Sequence, residues 1–284
     1  MWPHSRANED AGCKVGGRNI FKRVLTSAIA IPLFVYLVLY VSPVYFFFFI
    51  LTITFLASWE YFAIALASED FGLKALGTGL SALAPLGMYF LGPAVFLLFV
   101  PMIVFVIFLY LLFYHKDIHY TSGLVGKTVL GILYIGIFLS YIIGIRQFEY
   151  GGWLVIFLFS IIWANDTFAY FIGKGLGNIK LAPQISPNKT VEGAIGGLIG
   201  GLAAALVFNF FLFKRLDLIN AVLLALVLGI LCQLGDLFES MLKRSAGVKD
   251  SGSIIPGHGG VLDRIDSAII PLPFFYYYFV WLNY

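Results

Sequence analysis

Nine stretches of this chain hold about twenty apolar residues each with almost no charge, and a segment of that kind is expected to cross roughly 30 Å of hydrocarbon as a helix. Their approximate bounds are 20–41, 44–67, 73–91, 94–114, 124–145, 153–172, 191–213, 218–238 and 264–283. The divisions at Ser42-Pro43 and Gly92-Pro93 rest on Pro and Gly punctuation in short uncharged breaks. With 61% hydrophobic and 12% charged residues among 284, the polar side chains are too few to cover a water-soluble globule. The expected fold class is therefore an all-α polytopic membrane protein of about nine transmembrane helices. Residues 1–19 form a polar amino-terminal tail without an apolar core of signal-peptide form. Residues 20–150 hold about five spans, and residues 151–284 hold about four spans with the long polar loops, the region where chemistry is expected.

With nine spans, alternate loops fall on opposite sides and the cations can be sorted between them. The side of the tail collects 15 of the 18 Lys and Arg residues, and the other side holds only Arg146, Lys214 and Arg215. Cytoplasmic loops carry the excess of Lys and Arg, so the amino terminus is expected in the cytoplasm and the carboxyl terminus outside. The net charge of +3 is small and no basic strand is interleaved with aromatics, which argues against a nucleic-acid partner. Cys13 and Cys232 have no metal-ligand spacing and define no disulfide framework. The Phe-rich patches Tyr45 to Phe49 and Phe274 to Phe279 are expected to face lipid or neighbouring helices.

The acids inside or at the ends of apolar runs carry the functional signal. Asp166 sits near one end of the sixth span, Asp236 near the same-side end of the eighth, and Asp263 and Asp266 begin the ninth. A carboxylate at membrane depth costs on the order of 3 kcal/mol unless it finds a partner or a wet cavity, so four at one level suggest one site. The i,i+3 spacing of Asp263 and Asp266 puts both on one helix face, with Arg264 pointing elsewhere. Glu60, alone in the second span, reads equally as a packing hydrogen bond or as a ligand.

Two polar segments accompany these acids. In 173–197 the glycines at 173, 175 and 177 are too irregular for a dinucleotide fingerprint, and no Walker pattern is present. Ser186-Pro187-Asn188-Lys189-Thr190 is more informative: Ser186 or Asn188 can cap the seventh helix while its free amides and Lys189 face an anion. Gly193, Gly197 and Gly201 then recur every fourth residue, the pattern of a close-packing helix face. The second segment, 240–266, gathers Lys243, Arg244, Lys249 and Arg264 with Asp250, Asp263 and Asp266, a donor set suited to holding polyphosphate directly and through metal. His258, in its Pro-Gly-His-Gly-Gly turn, could be a base, a phosphate ligand or a turn residue.

Ser240-x-x-Lys243-Arg244, Lys249-Asp250, Pro256-x-His258-Gly259-Gly260 and Asp263-Arg264-x-Asp266 together resemble the signature of the phosphatidate cytidylyltransferases, or CDP-diacylglycerol synthases, with no departure. Asn165-Asp166 and Ser186-Pro187-x-Lys189-Thr190-x-Glu192-Gly193 are similar to the upstream polar motifs of that family, in the same order. The resemblance is specific from about 160 to 268; earlier residues match only as apolar spans. It implies condensation of CTP with phosphatidic acid to CDP-diacylglycerol and pyrophosphate, with divalent metal. It further implies Asp236 and Asp263 as leading Mg²⁺ ligands, in one- or two-metal form, with Asp166 and Asp266 as further ligands or groups behind them, all four catalytic. Asn165, Ser186, Lys189, Thr190, Lys243, Arg244, Lys249, His258 and Arg264 would contact the substrates.

Such an enzyme is expected in the inner (plasma) membrane type of bilayer with its site facing the cytoplasm, and the sequence leaves a homo-oligomer open. The rival readings are an ion-coupled secondary transporter, which predicts acids near the midplane and a repeat that the sequence does not display, and a polyprenol kinase-like or ether-lipid cytidylyltransferase.

Overall fold

The computed structural model of the protein describes residues 29–69, 71–114, 118–252, 254 and 259–282. The polar tail, Cys13, Lys116 and His258 lie outside the described residues. The architecture is a helical bundle. In chain order it comprises α1 (Ile29–Leu39), α2 (Pro43–Ala65), α3 (Phe71–Tyr114) and α4 (Thr121–Gly131), which runs through a π-helical turn into α5 (Phe138–Gln147). There follow α6 (Gly151–Leu176), strands β1 (Lys180–Ala182) and β2 (Ser186–Thr190), α7 (Val191–Phe208), α8 (Leu218–Ser245), α9 (Leu262–Ile269) and α10 (Pro271–Trp281).

Among the described residues, six helical segments are long and apolar enough to cross a membrane: Pro43–Ala65, Phe71–Pro93, Thr121–Gln147, Gly151–Leu176, Val191–Phe213 and Leu218–Ser245. Each coincides with an expected span. Of the other three, 20–41 is represented by α1, 94–114 by the shorter apolar helix Leu98–Tyr114, and 264–283 by α9 and α10. The two punctuation marks act as the sequence implies. Pro43 opens α2 after an extended Ser42, and Gly92, at φ 72°, breaks α3 in a conformation that L side chains rarely adopt. Large apolar side chains such as Phe105, Phe210, Phe211 and Trp281 stand exposed around the bundle, a surface suited to lipid and unsuited to water.

The bundle departs from all-helix between α6 and α7, where β1 and β2 pair antiparallel, Lys180 opposite Thr190 and Ala182 opposite Ser186. This hairpin corrects the expected helix start. Neither Ser186 nor Asn188 caps α7, because both lie in β2; the cap is Thr190, extended at φ −125° and ψ 156°, whose Oγ1 accepts from Gly193 N at 3.1 Å. A β-branched residue suits both the end of a strand and the extended dihedrals of a cap, so one position serves both elements. Glu192, in the first turn, accepts from Ile179 N through both oxygens at 3.2 Å and ties the start of β1 to the helix at the same end of the hairpin.

The glycine stripe of α7 meets α6, and these two helices form the most extensive helix pair in the bundle. A Cβ at Gly193 would sit 2.8 Å from Ala169 O, one at Gly197 2.4 Å from Asn165 Oδ1, and one at Gly201 3.3 Å from Ile161. Close approach is therefore required at 193 and 197, as the four-residue period implies. Gly197→Ala should cost about 2 kcal/mol by overpacking, read as a lowered thermal midpoint in detergent. Gly79→Ala, where an added Cβ meets nothing within 4 Å, should be neutral or stabilising.

Candidate active site at one end of the bundle

Chain direction brings the polar segments to one end. The carboxyl-terminal end of α6 leads through the hairpin to the start of α7, and the end of α8 leads through a loop to the start of α9, so all four termini share that end. Between them lies a cavity of about 620 Å³. Its lining includes Asn165 and Asp166 from α6, Lys189 and Thr190 from β2, Asp236 from α8, and Asp263 and Asp266 from α9. Four acids spread over about 100 residues of sequence, from Asp166 to Asp266, thus face one space, and the i,i+3 pair of α9 presents both carboxylates to it.

The carboxylates are held by short contacts. Asp236 Oδ2 pairs with Lys189 Nζ at 2.6 Å, joining the hairpin to α8. Asp263 Oδ1 pairs with Lys243 Nζ at 2.6 Å, and its Oδ2 accepts from Gly260 N at 2.8 Å and Ser251 N at 3.0 Å. Lys243 also pairs with Glu239 at 2.6 Å, one turn earlier on α8, where the Glu239 side chain is only 1% exposed. Asp166 Oδ2 accepts from Ser267 Oγ at 3.3 Å, and Asp266 Oδ1 accepts from Ser267 N at 2.7 Å. Asp166 Oδ1 and Asp266 Oδ2 make no hydrogen bond or ion pair among the described residues, and both residues line the cavity. No three His, Cys, Asp or Glu side chains among the described residues cluster as a ready-made metal cage.

Asn165 lines the same cavity, yet its amide ties helices together. Its Nδ2 donates to Gly229 O at 2.9 Å, and Gln233 Nε2 donates to Asn165 Oδ1 at 3.0 Å and to Ala194 O at 2.9 Å. One network thus joins α6, α7 and α8 directly behind Asp166. Other residues named from the sequence are not in the cavity wall. Ser186 pairs within the hairpin, and Arg244 donates from Nε to Ile185 O at 3.3 Å and from Nη1 to Val248 O at 3.1 Å, bracing the loop after α8 against the hairpin. Lys249 and Arg264 are exposed. Lys243 stands behind Asp263 rather than in the wall.

Sequence reasoning missed Gln233, Glu239, Ser251 and Ser267. The first two carried a signal: Gln233, Asp236, Glu239 and Lys243 recur at steps of three, three and four along α8, which marks one polar face on an otherwise apolar helix. Ser251 had no periodic signal, since its role depends on the loop before α9, and Ser267, inside α9, meets Asp166 of α6, a partner that no spacing connects.

Set against known proteins, the profile of the cytidylyltransferase family matches residues 21–282. The chain belongs to this family. Among curated relatives it is 46% identical over 159 residues to the phosphatidate cytidylyltransferase of Bacillus subtilis (strain 168), covering 56% of this chain and 59% of that one. It is 46% identical over 145 residues to the phosphatidate cytidylyltransferase of Staphylococcus haemolyticus (strain JCSC1435), covering 51% of this chain and 55% of the relative. The similarity to the phosphatidate cytidylyltransferase of Haemophilus influenzae is 46% identity over 134 residues, 46% of each chain. The matches thus span about half the length of these cytidylyltransferases.

In the candidate site the Lys243 ammonium, largely covered, lies between two acids, Glu239 and Asp263. Removing one member of such a cluster strands the others, so Lys243→Met should destabilise the protein by about 3 kcal/mol. Thermal unfolding in detergent would check this, with Arg215→Ala at the other end of the bundle expected to stay within about 0.5 kcal/mol of the parent.

Proposed function

We propose that this chain transfers CMP from CTP to phosphatidic acid, leaving CDP-diacylglycerol in the membrane and releasing pyrophosphate. The observation that carries this reading is the meeting of Asp166, Asp236, Asp263, Asp266 and Lys189 in one cavity at an end of an apolar bundle. The name shared by the curated relatives supports the same reading. In the reaction a phosphatidate oxygen attacks the α-phosphorus, the bond to the bridging oxygen of the β-phosphate breaks, and pyrophosphate leaves with the electron pair. The lipid phosphate is already anionic and needs no strong base, so the protein's work is alignment of two repelling anions and stabilisation of charge.

The donor set suits a divalent cation. Four carboxylates share the cavity wall with two lysines, Lys174 and Lys189, and that excess of negative charge would repel a triphosphate unless a divalent cation beside the unpartnered oxygens of Asp166 and Asp266 offset it. Mg²⁺ takes one or two carboxylates with phosphate oxygens, so a three-carboxylate cage is not needed. Held by Asp236 and Asp263 with Asp166 and Asp266 beside them, as one ion or a two-metal pair, it would offset charge on the reacting phosphates.

In this reading Lys189 and Thr190 contact substrate phosphate from the hairpin, Lys243 orients Asp263, and Asn165 orients Asp166. Ser186, Arg244, Lys249 and Arg264 remain candidates for substrate contact on the water side, where exposed cations guide an arriving polyanion, and His258 remains a candidate from its sequence motif. The acyl chains stay in the leaflet while CTP enters from water, so no lipid has to be extracted.

The proposed topology has nine spans, a cytoplasmic amino terminus and site, and an external carboxyl terminus, in an inner (plasma) membrane. Its support is the cation sorting, together with the approach of Arg215 to 4.0 Å above the Tyr150 ring at the end of α6 opposite the cavity. Arg146 lies at that end too, in one pocket with Tyr150.

Labelled CTP, phosphatidic acid and Mg²⁺ with the purified protein should give labelled lipid; a water-soluble labelled product would overturn the assignment. Asp236→Asn and Asp263→Asn should each remove most turnover, and activity within about threefold of the parent would exclude that residue from the metal site. Lys189→Ala should lose about tenfold or more, against little change in Arg215→Ala. For topology, cysteines at 215 and 249 can be introduced with Cys13 and Cys232 replaced by serine. An impermeant maleimide should label 215 in intact cells and 249 only after permeabilisation, and the reverse pattern would break the orientation.

A further inference from the structure

Glu60 is buried in α2 at 3% exposure, in the half of the chain that the sequence motifs leave without chemistry. Its oxygens accept from Val261 N at 2.9 Å, Leu262 N at 2.9 Å and Ser251 Oγ at 3.0 Å. No Lys or Arg pairs with it among the described residues. Every partner is a neutral donor from the loop that precedes α9 or from the first residue of that helix, where backbone amides lack intrahelical acceptors and favour negative charge. A carboxylate at membrane depth is costly, and an apolar residue would pack α2 without that cost. The carboxylate therefore recognises this loop.

We propose that Glu60 is a positioning residue that acts on the reaction through Asp263, an inference that rests on the functional reading above. The relay is short. Ser251 Oγ donates to Glu60 and accepts from Asp263 N at 3.3 Å, while Ser251 N and Gly260 N donate to the Asp263 carboxylate. Gly252 and Gly260 pack tightly against Glu60: a Cβ at Gly252 would lie 2.7 Å from Oε1, and one at Gly260 would clash with Oε2. With Lys243 on its other oxygen, Asp263 is held from both sides, by α8 directly and by α2 through the loop. The amino-terminal half thus sets the aim of a carboxylate some 200 residues later in the chain.

Glu60→Gln separates this role from packing, because it keeps the shape and removes one acceptor. Val261 and Leu262 each donate to a different oxygen, so whichever way the amide turns, an NH₂ group faces a backbone N–H. Hydrogen exchange and turnover would be measured on the full-length protein in nanodiscs, using labelled CTP, phosphatidic acid and Mg²⁺. In Glu60→Gln the amides between Ser251 and Asp263 should exchange at least tenfold faster while the thermal midpoint moves by less than about 3 °C. Turnover should fall about tenfold or more with the KM for CTP within threefold, and Glu60→Asp, which keeps both acceptors on a shorter arm, should recover part of both losses.

Exchange unchanged from the parent would overturn the clamp, and faster exchange with parental turnover would overturn its link to catalysis. If the parent makes no labelled lipid, the functional reading fails and the link to catalysis with it, while exchange still decides whether the clamp exists. Should Glu60→Gln fail to fold, Ser251→Ala cuts the same relay outside α2; parental exchange and turnover in that variant would overturn the proposal.

Discussion

A carboxylate surrounded by hydrocarbon persists only where donors or cations are built around it, and that constraint organises this bundle. Each acid near the cavity has a specific answer. Asp236 meets Lys189 from the hairpin, Glu239 and Asp263 share Lys243, Asp166 and Asp266 meet Ser267, and Glu60 meets backbone amides and Ser251. Because these partners lie on α2, α6, β2, α8, α9 and the intervening loop, satisfying the charges fixes the relative placement of elements that apolar packing alone would leave free to slide. In a membrane, where helix association has no hydrophobic drive between lipid-like surfaces, such polar links and close-packed small residues supply the specificity.

The glycine face of α7 is the complementary device. Without side chains at 193 and 197, α7 approaches α6 closely enough for Gln233 of α8 to reach both Ala194 O on α7 and the Asn165 amide on α6. A bulkier residue at 197 would occupy the space of Asn165 Oδ1 itself. The packing feature and the polar network are thus one construction, and its product is a fixed Asp166 at the cavity wall.

Much of this was legible from sequence because the signals were local. Apolar runs marked the spans, Ser42-Pro43 and Gly92 marked breaks, and the period of four in the α7 glycines marked a helix contact. The four aspartates could be grouped by their common level in the spans. The hairpin was not legible: Ser-Pro-Asn-Lys-Thr has no apolar alternation, and its pairing with Lys180–Ala182 is a backbone interaction between polar strands. The cap was displaced to Thr190 for the same reason. Glu60 was visible but ambiguous, since its partners are mostly backbone amides about two hundred residues away, which no spacing rule connects. The exposed position of Arg264 followed from its offset between Asp263 and Asp266 on α9.

The charge arrangement also explains why the hairpin is useful between two spans. A helix running straight from α6 into α7 cannot reverse direction, and a featureless loop would leave Lys189 free to extend into water. The paired strands fix Thr190 at the start of α7, and Lys189 immediately before it is only half-exposed and directed at Asp236. A cation delivered in this way sits at the boundary between water and the bundle end, in contact with an acid of α8. The same geometry keeps Lys189 from pairing with Asp263, which has Lys243 behind it. Two acids on adjacent helices thus have separate ammonium partners, one from the hairpin at the cavity wall and one from α8 behind it.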